Sequence, residues 1–337
     1  YEDAITTYKN AIENSNRDVV SVDTLWSIFY KLKRYEEATS FFSYVIKKHG
    51  SLPSLVLVLG QAYFNLEKYI DADLMFSELL SADKHNQQAL QYLAATKLLT
   101  GEVYQAIDLY RKAAELSGCL DVCQSDYLMS LNYSDQISQT ELIKYHNSWA
   151  DKLTAEISPV YNNEHNFKSE RPLRLGYVSS DFKYHAVANF ITPILEAHDR
   201  QKFILIGYYN EWFPDSQTAI IKNLFNEWRN IKNLSAKEVC DQIVEDKIDI
   251  LIDLNGHTAG NILAVFRKKP APLQISWLGY PNATGLEQID FIVADKIVAP
   301  PEFDECYPWR SSSLRLGDGY HCYHQMFESQ VTELPAI

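Results

Sequence analysis

The sequence has no run of about 20 uncharged apolar residues, the length that a helix needs to cross a bilayer, and no secretory signal at its start. It also lacks the G-x-x-x-x-G-K-[ST], H-E-x-x-H and G-x-S-x-G motifs. These absences argue against P-loop nucleotidases, the commonest metalloproteases and the serine hydrolases. Because the sequence has neither a membrane-spanning run nor a secretory signal, we expect no membrane partner and a cytoplasmic location.

Positive charge is also scarce, because the net charge of the 337 residues is −13. Nucleic-acid binding needs a positive field, so we expect no nucleic-acid partner. Only Cys119 and Cys123 of the five cysteines lie close together. A structural metal site needs a second ligand pair near the first, so we expect reduced thiols and no metal.

A repeat of 34 residues runs through the first third of the chain. Alanines recur at this spacing, and an aromatic residue follows each alanine four positions later. The pairs are Ala4 with Tyr8, Ala38 with Phe42, Ala72 with Phe76, and Ala106 with Tyr110. Residues four apart share one helix face, so the alanine permits close packing while the ring fills the adjacent space. The period and these marks resemble the tetratricopeptide repeat.

The repeats predict an α-solenoid over residues 1–117. The concave face of a solenoid typically binds an extended peptide, so we expect a protein or peptide substrate along the repeat groove. Scaffolding or self-association into a homo-oligomer is the alternative. Residues 118–170 lose the 34-residue period, and we interpret them as a helical bridge and linker. A stripe of Glu141, Leu142, Tyr145, Trp149 and Leu153 predicts the bridging helix.

Short apolar strands alternate with helices from Leu173 onward, which predicts a doubly wound α/β domain over residues 171–330. The predicted strands are 173–180, 202–210, a short one near Asn230, 248–256, 271–279, 291–295 and 314–316. Helices are expected at 187–198, 216–228 and 235–245. The predicted fold class is therefore an α-solenoid followed by a doubly wound, Rossmann-like domain.

Polar and glycine-rich segments follow three of these strands, at 179–185, 253–258 and 277–282. Ligands of doubly wound sheets bind beyond the carboxyl ends of the strands, at the point where the strand order reverses. For the order 3-2-1-4-5, this point lies between strands 1 and 4. We therefore predict that the three loops form one site.

The strings LRLGYVSSDFKYH, DILIDLNGHTAGN and PAPLQISWLGYPNATG stand in this order behind the repeats. They resemble the O-linked N-acetylglucosamine transferase family, which includes SPINDLY-like relatives, over nearly the whole chain. The resemblance implies an inverting, metal-independent transfer of N-acetylglucosamine from UDP-GlcNAc to Ser or Thr of proteins, without a cofactor. It also implies a GT-B fold, in which two Rossmann-like domains enclose the site. Residues 331–337 would then lead to a missing C-terminal half that holds the nucleotide sugar, and this chain alone would be inactive.

The resemblance assigns the catalytic positions to Asp181 and His185, after strand 1. A histidine is able to orient or deprotonate an acceptor hydroxyl near neutral pH. The alternative for His185 is a hydrogen bond to backbone at the start of the next helix. We expect Asp181 to accept hydrogen bonds from backbone N–H groups at the helix start, which would orient the loop.

Substrate-binding positions are expected in the other two loops. They are Asn255, Gly256, His257 and Thr258 after strand 4, and Leu278, Gly279, Tyr280 and Pro281 after strand 5. Asn255 and Thr258 are able to donate to the sugar or the acceptor, with capping of the next helix as the alternative. Gly279 and Pro281 would let the backbone pass close to the sugar, or simply form a tight turn.

Three features depart from the family pattern, one of which is the sequence and length of residues 307–316. The family's bridge histidine aligns with Gln124, and the groove asparagines of animal members align with Thr24, Val58 and Tyr92. Gln124 favours an alternative function, a non-catalytic, peptide-binding repeat scaffold with a degenerate transferase domain. A SPINDLY-like protein O-fucosyltransferase that uses GDP-fucose is a further alternative, because the missing half would read the donor base.

Overall fold

The computed structural model describes residues 1–14, 19–117, 122–154, 159–160, 171–280, 282–302, 304 and 309–323. The predicted linker at 331–337 and two of the residues discussed above, Cys119 and Pro281, lie outside these ranges. The chain divides into two compact units, Tyr1–Ile137 and Ser138–Ile337. Within the described residues, no helix has both the length and the apolar character that membrane crossing requires.

The first unit is built from helices that recur at the predicted period. The first helices of successive repeats are α2 (Val19–Lys31), α4 (Pro53–Asn65) and α6 (Gln87–Leu99). The second helices are α1 (Glu2–Asn14), α3 (Tyr35–His49), α5 (Tyr69–Ala82) and α7 (Val103–Leu116). A further helix, α8 (Val122–Leu131), begins one residue beyond the next repeat position and packs on α7. The helical stack therefore extends past residue 117.

The residues that mark the repeat form the core of this unit. Ala72 and Ala106 have no exposed surface, and neither has the ring of Phe42. The ring of Phe42 meets that of Phe29 edge to face, with centroids 6.1 Å apart. Close helix packing over alanine and ring packing beside it explain why these positions carry the period.

The second unit contains a seven-stranded parallel sheet. Its strands are β1 (Leu173–Ser179), β2 (Phe203–Tyr209), β3 (Glu227–Asn230), β4 (Ile250–Asp253), β5 (Leu273–Ser276), β6 (Phe291–Asp295) and β7 (Ser312–Leu316). The order is β3-β2-β1-β4-β5-β6-β7. This order confirms the doubly wound prediction, and the reversal lies between β1 and β4 as expected.

The helices of this unit are α9 (Gln139–Thr154), α10 (Ala186–Ala197), α11 (Ser216–Lys222), α12 (Ala236–Glu245) and α13 (Leu263–Phe266). The prediction that α11 runs to residue 228 was wrong. The side chain of Asn226 accepts the backbone N–H of Leu205 at 2.8 Å. The following residues pair with β2, so the chain joins the sheet where a longer helix was expected. The short helix α13 was not predicted.

The predicted bridging helix is α9, and three of the five residues in its predicted stripe are buried. Leu142, Trp149 and Leu153 are buried, whereas Glu141 and Tyr145 are exposed. The buried face is therefore rotated from the predicted one.

The main core of the α/β unit lies between the sheet and the helices α10 and α11. It includes Phe182, three residues after β1, and Leu254, directly after β4, and neither has exposed surface. Since both side chains lie in the core, the start of each loop is fixed to it.

Candidate functional site

The side chain of Asn255 joins the loops that follow β1 and β4. Its Oδ1 accepts the backbone N–H of Ser180 at 3.0 Å, and its Nδ2 lies 2.9 Å from Ser180 Oγ. The same Nδ2 donates to Asp181 Oδ2 at 3.0 Å. Only 1% of Asn255 is exposed. The amide is thus used inside the protein, which contradicts the predicted donation to a substrate and gives Asn255 a positioning role.

The Asp181 carboxylate is held by side chains. Within the described residues 171–280, the predicted hydrogen bonds from backbone N–H groups at the helix start are not formed. Its Oδ2 accepts from Asn255, and its Oδ1 lies 3.2 Å from Ser180 Oγ. Its own backbone N–H donates to Ser179 Oγ at 2.9 Å. The carboxylate is therefore fixed between two loops, and it orients the loop after β1 through the Asn255 amide.

His185 is the N-cap residue of α10. Its Nδ1 accepts the backbone N–H of Val187 at 3.2 Å and lies 3.9 Å from Asp181 Oδ2. Because Nδ1 acts as an acceptor, the proton of the neutral imidazole lies on Nε2. The side chain is 46% exposed. His185 therefore caps a helix, as its alternative role required, and still offers an accessible N–H group.

The turn after β4 packs directly on the turn after β5. Gly256 has a φ of +57°, and a Cβ atom at this position would lie 2.3 Å from Cβ of Tyr280. Thr258 Oγ1 donates to the carbonyl of Asn255 at 2.9 Å and closes the turn. The next helix begins only at Leu263. Capping of that helix, the alternative for Asn255 and Thr258, is therefore wrong.

The turn after β5 has a strained backbone and a close contact. Leu278 has a φ of +76°, a conformation that costs a residue other than glycine about 1–3 kcal/mol. A Cβ atom on Gly279 would lie 2.0 Å from the carbonyl oxygen of Leu254. Only glycine fits at this position, so the backbone of the β5 turn is held against the end of β4. The three loops meet as predicted.

His257 lies beneath these turns and not at their surface. Its Nε2 donates to the carbonyl of Thr284 at 3.0 Å, and its ring centroid is 4.7 Å from that of Trp149. The residue is 1% exposed, and burial lowers the pKa of the imidazole well below its usual value. A neutral, buried ring contradicts the predicted substrate contact.

His146, on α9, was missed in the sequence. It has no exposed surface, and its two ring nitrogens lie 2.7 Å from the carbonyl oxygen of Leu142 and 2.7 Å from the hydroxyl of Tyr280. Burial lowers its pKa to about 4. The signal was available, because a histidine four residues after Leu142 and three before Trp149 lies on the apolar face of the helix.

Asp253 ends β4 below the loop contact. Its carboxylate accepts the backbone N–H groups of Asn255 at 3.0 Å and Gly256 at 2.9 Å. Burial nevertheless raises the pKa of this carboxyl group to about 6.

Among the residues whose placement is described, no three His, Cys, Asp or Glu side chains are grouped as ligands for a metal ion.

The sequence model of glycosyl transferase family 41 matches residues 130–333, which include all three loops. This chain belongs to glycosyltransferase family 41. Its fold agrees with this assignment, since a mutant of the Thermobaculum terrenum O-GlcNAc transferase superposes on it with a TM-score of 0.80. That structure is 26% identical in sequence, and the match covers 91% of this chain and 59% of the other.

Two plant relatives of this family 41 chain bear the name "Probable UDP-N-acetylglucosamine--peptide N-acetylglucosaminyltransferase SPINDLY". The protein of Oryza sativa subsp. japonica is 32% identical over 237 residues, which are 68% of this chain and 25% of the relative. The protein of Arabidopsis thaliana is 33% identical over 216 residues, or 62% of this chain and 23% of the relative. The chain thus spans about a quarter of the length of these curated relatives.

Proposed function

We propose that this family 41 chain supplies the first Rossmann-like half of a protein O-glycosyltransferase, which transfers N-acetylglucosamine from UDP-GlcNAc to Ser or Thr. One observation carries the proposal: the Asn255 amide joins the β1 and β4 loops beside an accessible His185. The names of the plant relatives and of the Thermobaculum terrenum enzyme support the donor and the acceptor class. The proposal includes a second half that holds the nucleotide sugar, without which this chain is inactive.

The proposed reaction is a single displacement without a metal ion. The acceptor hydroxyl oxygen bonds to the anomeric carbon while the bond from that carbon to the diphosphate oxygen breaks. The electron pair leaves with the nucleotide diphosphate, and the hydroxyl proton passes to an oxygen of that departing diphosphate. Attack opposite the leaving group inverts the anomeric configuration. The protein substrate is proposed to bind along the repeat groove.

His185 is proposed to orient the acceptor through its Nε2–H group. Its Nδ1 already accepts the N–H of Val187, so Nε2 donates in the neutral state and is not free to take a proton. Deprotonation by His185 would require the loss of this cap. Asp181 and Asn255 act on His185 indirectly, because they fix the loop that carries it.

The sugar is proposed to lie against the backbone of the β5 turn. Gly279 lets this turn lie close to β4, because the position that its Cβ would take is filled by the carbonyl of Leu254. Leu278, Tyr280 and Gly256 shape this surface through their backbone, while Thr258 closes the neighbouring turn. Pro281 stays in the proposed sugar site as an expectation from the resemblance.

The test uses the full-length protein that contains this chain, with radiolabelled UDP-GlcNAc and a Ser/Thr peptide. His185→Ala removes both the cap and the imidazole, whereas His185→Asn keeps a good N-cap residue. We expect a loss of about 100-fold or more in kcat/KM for both variants, with the stability loss confined to His185→Ala. Transfer that is unchanged in both would contradict the role of His185.

The same experiment separates the alternatives. Label from GDP-fucose instead of UDP-GlcNAc would indicate a SPINDLY-like O-fucosyltransferase. No label from either donor would indicate a peptide-binding repeat scaffold or a self-associating one. One observation favours the scaffold: Gln124, at the family's histidine position, donates to the carbonyl of Ala114 at 2.6 Å and so has a structural use. Val58, which aligns with a groove asparagine of animal members, is buried and has no side-chain amide.

A further inference from the structure

We propose that His146 is a positioning residue for the sugar-facing turn after β5, and that it acts through the hydroxyl of Tyr280. This inference rests on the proposed function, because it gives His146 a task in binding the sugar of the donor. It concerns residues 134 positions apart in the chain, which the fold brings to 2.7 Å.

The hydrogen bonds of His146 fix its tautomer. The carbonyl of Leu142 can only accept, so the Nδ1 that lies 2.7 Å from it must carry a proton. In the neutral imidazole, Nε2 then has a lone pair and accepts the O–H of Tyr280 at 2.7 Å. Both partners are buried, so neither has water as a substitute. The bond therefore has a defined direction, from Tyr280 to His146.

His146 is itself held rigidly against the α/β unit. A Cβ atom on Gly285 would lie 2.3 Å from the His146 carbonyl oxygen, so this loop packs on the α9 backbone without space for a side chain. Farther along α9, Arg267 Nη1 donates to the carbonyl of Leu153 at 2.8 Å. The rings of His146 and His257 are in contact, with centroids 4.9 Å apart. The acceptor nitrogen therefore has a fixed position.

Tyr280 transmits this position to the backbone of both turns. Its Cβ lies against Gly256, the glycine of the β4 turn. It directly follows Gly279, whose neighbour Leu278 keeps a φ of +76°. A strained turn persists only where its surroundings hold it, and the anchored hydroxyl of Tyr280 is one such restraint. Loss of the bond should let the β5 turn relax away from the sugar.

The experiment compares binding of UDP and of UDP-GlcNAc to the full-length protein. His146→Phe and Tyr280→Phe each remove one partner, and His146→Gln keeps an acceptor that the Tyr280 hydroxyl is able to reach. We expect both Phe variants to weaken UDP-GlcNAc binding and kcat/KM on the order of 10-fold or more, while UDP binding changes less than about twofold. The Gln variant should recover part of the loss. General damage to the fold would weaken UDP and UDP-GlcNAc alike.

The matched control is a second His–Tyr bond in the same unit. His198 Nε2 lies 2.7 Å from the hydroxyl of Tyr177 on β1, and neither residue belongs to the β4 or β5 turn. His198→Phe should leave the ratio of UDP-GlcNAc to UDP affinity unchanged. Equal ratios in wild type, His146→Phe and Tyr280→Phe would overturn the inference, as would an equal fall in His198→Phe.

The outcomes also distinguish this inference from the proposed function. A wild-type protein that binds UDP-GlcNAc without transferring sugar would contradict the proposed reaction, and the affinity ratios would still decide about His146. A wild-type protein that binds neither UDP nor UDP-GlcNAc would overturn both. If His146→Phe fails to fold, Tyr280→Phe and His146→Gln provide the same comparison.

Discussion

Ser180 and Asn255 meet beyond the carboxyl ends of β1 and β4, where the Asn255 Oδ1 accepts the Ser180 N–H at 3.0 Å and the Asn255 Nδ2 lies 2.9 Å from the Ser180 hydroxyl. The two residues are 75 positions apart in the chain. This contact lies at the point where the strand order reverses. The Asn255 amide therefore joins the loops after β1 and β4.

Asn255→Ala should destabilise the α/β unit and reduce sugar transfer. It leaves the buried Ser180 N–H and the Asp181 carboxylate without their amide partner, so we expect a loss of about 2 kcal/mol or more in unfolding free energy. Transfer should fall on the order of 100-fold, because the loop that carries His185 loses its support. Urea unfolding and kcat/KM measure the two effects.

Asn226→Ala is the matched control, since its amide oxygen accepts the Leu205 N–H at 2.8 Å. Asn226 directly precedes β3, at the amino ends of the parallel strands, whereas the three loops follow the carboxyl ends. It should cost stability without a change in kcat/KM. A similar loss of transfer in both variants would show that general stability, and not the loop contact, limits activity.

Gly279→Ala should abolish most transfer. The added Cβ would lie 2.0 Å from the Leu254 carbonyl, so the β5 turn must move away from β4. We expect kcat/KM to fall by about 100-fold. Gly317→Ala serves as the control, because a Cβ at Gly317 meets nothing within 4 Å. Equal activities of the two variants would contradict the role of the β5 turn.

Stability should fall as the pH drops through the titration range of His146. Burial lowers its pKa from 6.5 to about 4, so the folded protein binds fewer protons than the unfolded chain in this window. Its contribution, on the order of 3 kcal/mol, is present above pH 6.5 and is lost toward pH 4. The stability difference between wild type and His146→Phe should therefore shrink with acidification. A difference that does not change with pH would contradict the assignment. His257 contributes with the same sign in both proteins.

Asp253 should have the opposite effect. Its pKa is raised from 3.8 to about 6, so its neutral form is favoured in the folded protein. The corresponding stability is present below pH 3.8 and is lost as the pH rises through about 6. Asp253→Asn removes this titration, so the variant should gain stability relative to wild type between pH 4 and about 7. Chemical unfolding at several pH values measures the slope, and an identical slope in both proteins would count against a buried carboxyl group.

The repeats and the sheet order were predictable because their signals are local or topological. Ala72 and Ala106 mark the 34-residue period, because each repeat needs a small residue at the point where its helices pack closely. The loops after β1, β4 and β5 meet because parallel strands end at the same edge of a sheet. Neither inference needs a specific long-range contact.

The roles of individual polar residues were not predictable in this way. Asn255 and His257 look like ligand-binding residues in a loop sequence, yet their partners are Ser180 and Thr284 inside the protein. A pattern of residue types does not tell whether a polar group is satisfied by the protein or by a substrate. The end of α11 was missed for a related reason, because pairing with β2 outweighed local helix preference.

The attachment of α9 has a practical consequence for anyone who wishes to isolate the transferase half. A fragment that begins at Arg171 would lack α9. The rings of Tyr280 and His257 would then lose their contacts with His146 and Trp149 and become exposed to water. Such a fragment should aggregate or lose the conformation of the β5 turn, even though it contains all the strands that the structure describes. A fragment that begins at Ser138, the first residue of the second unit, keeps that helix in place.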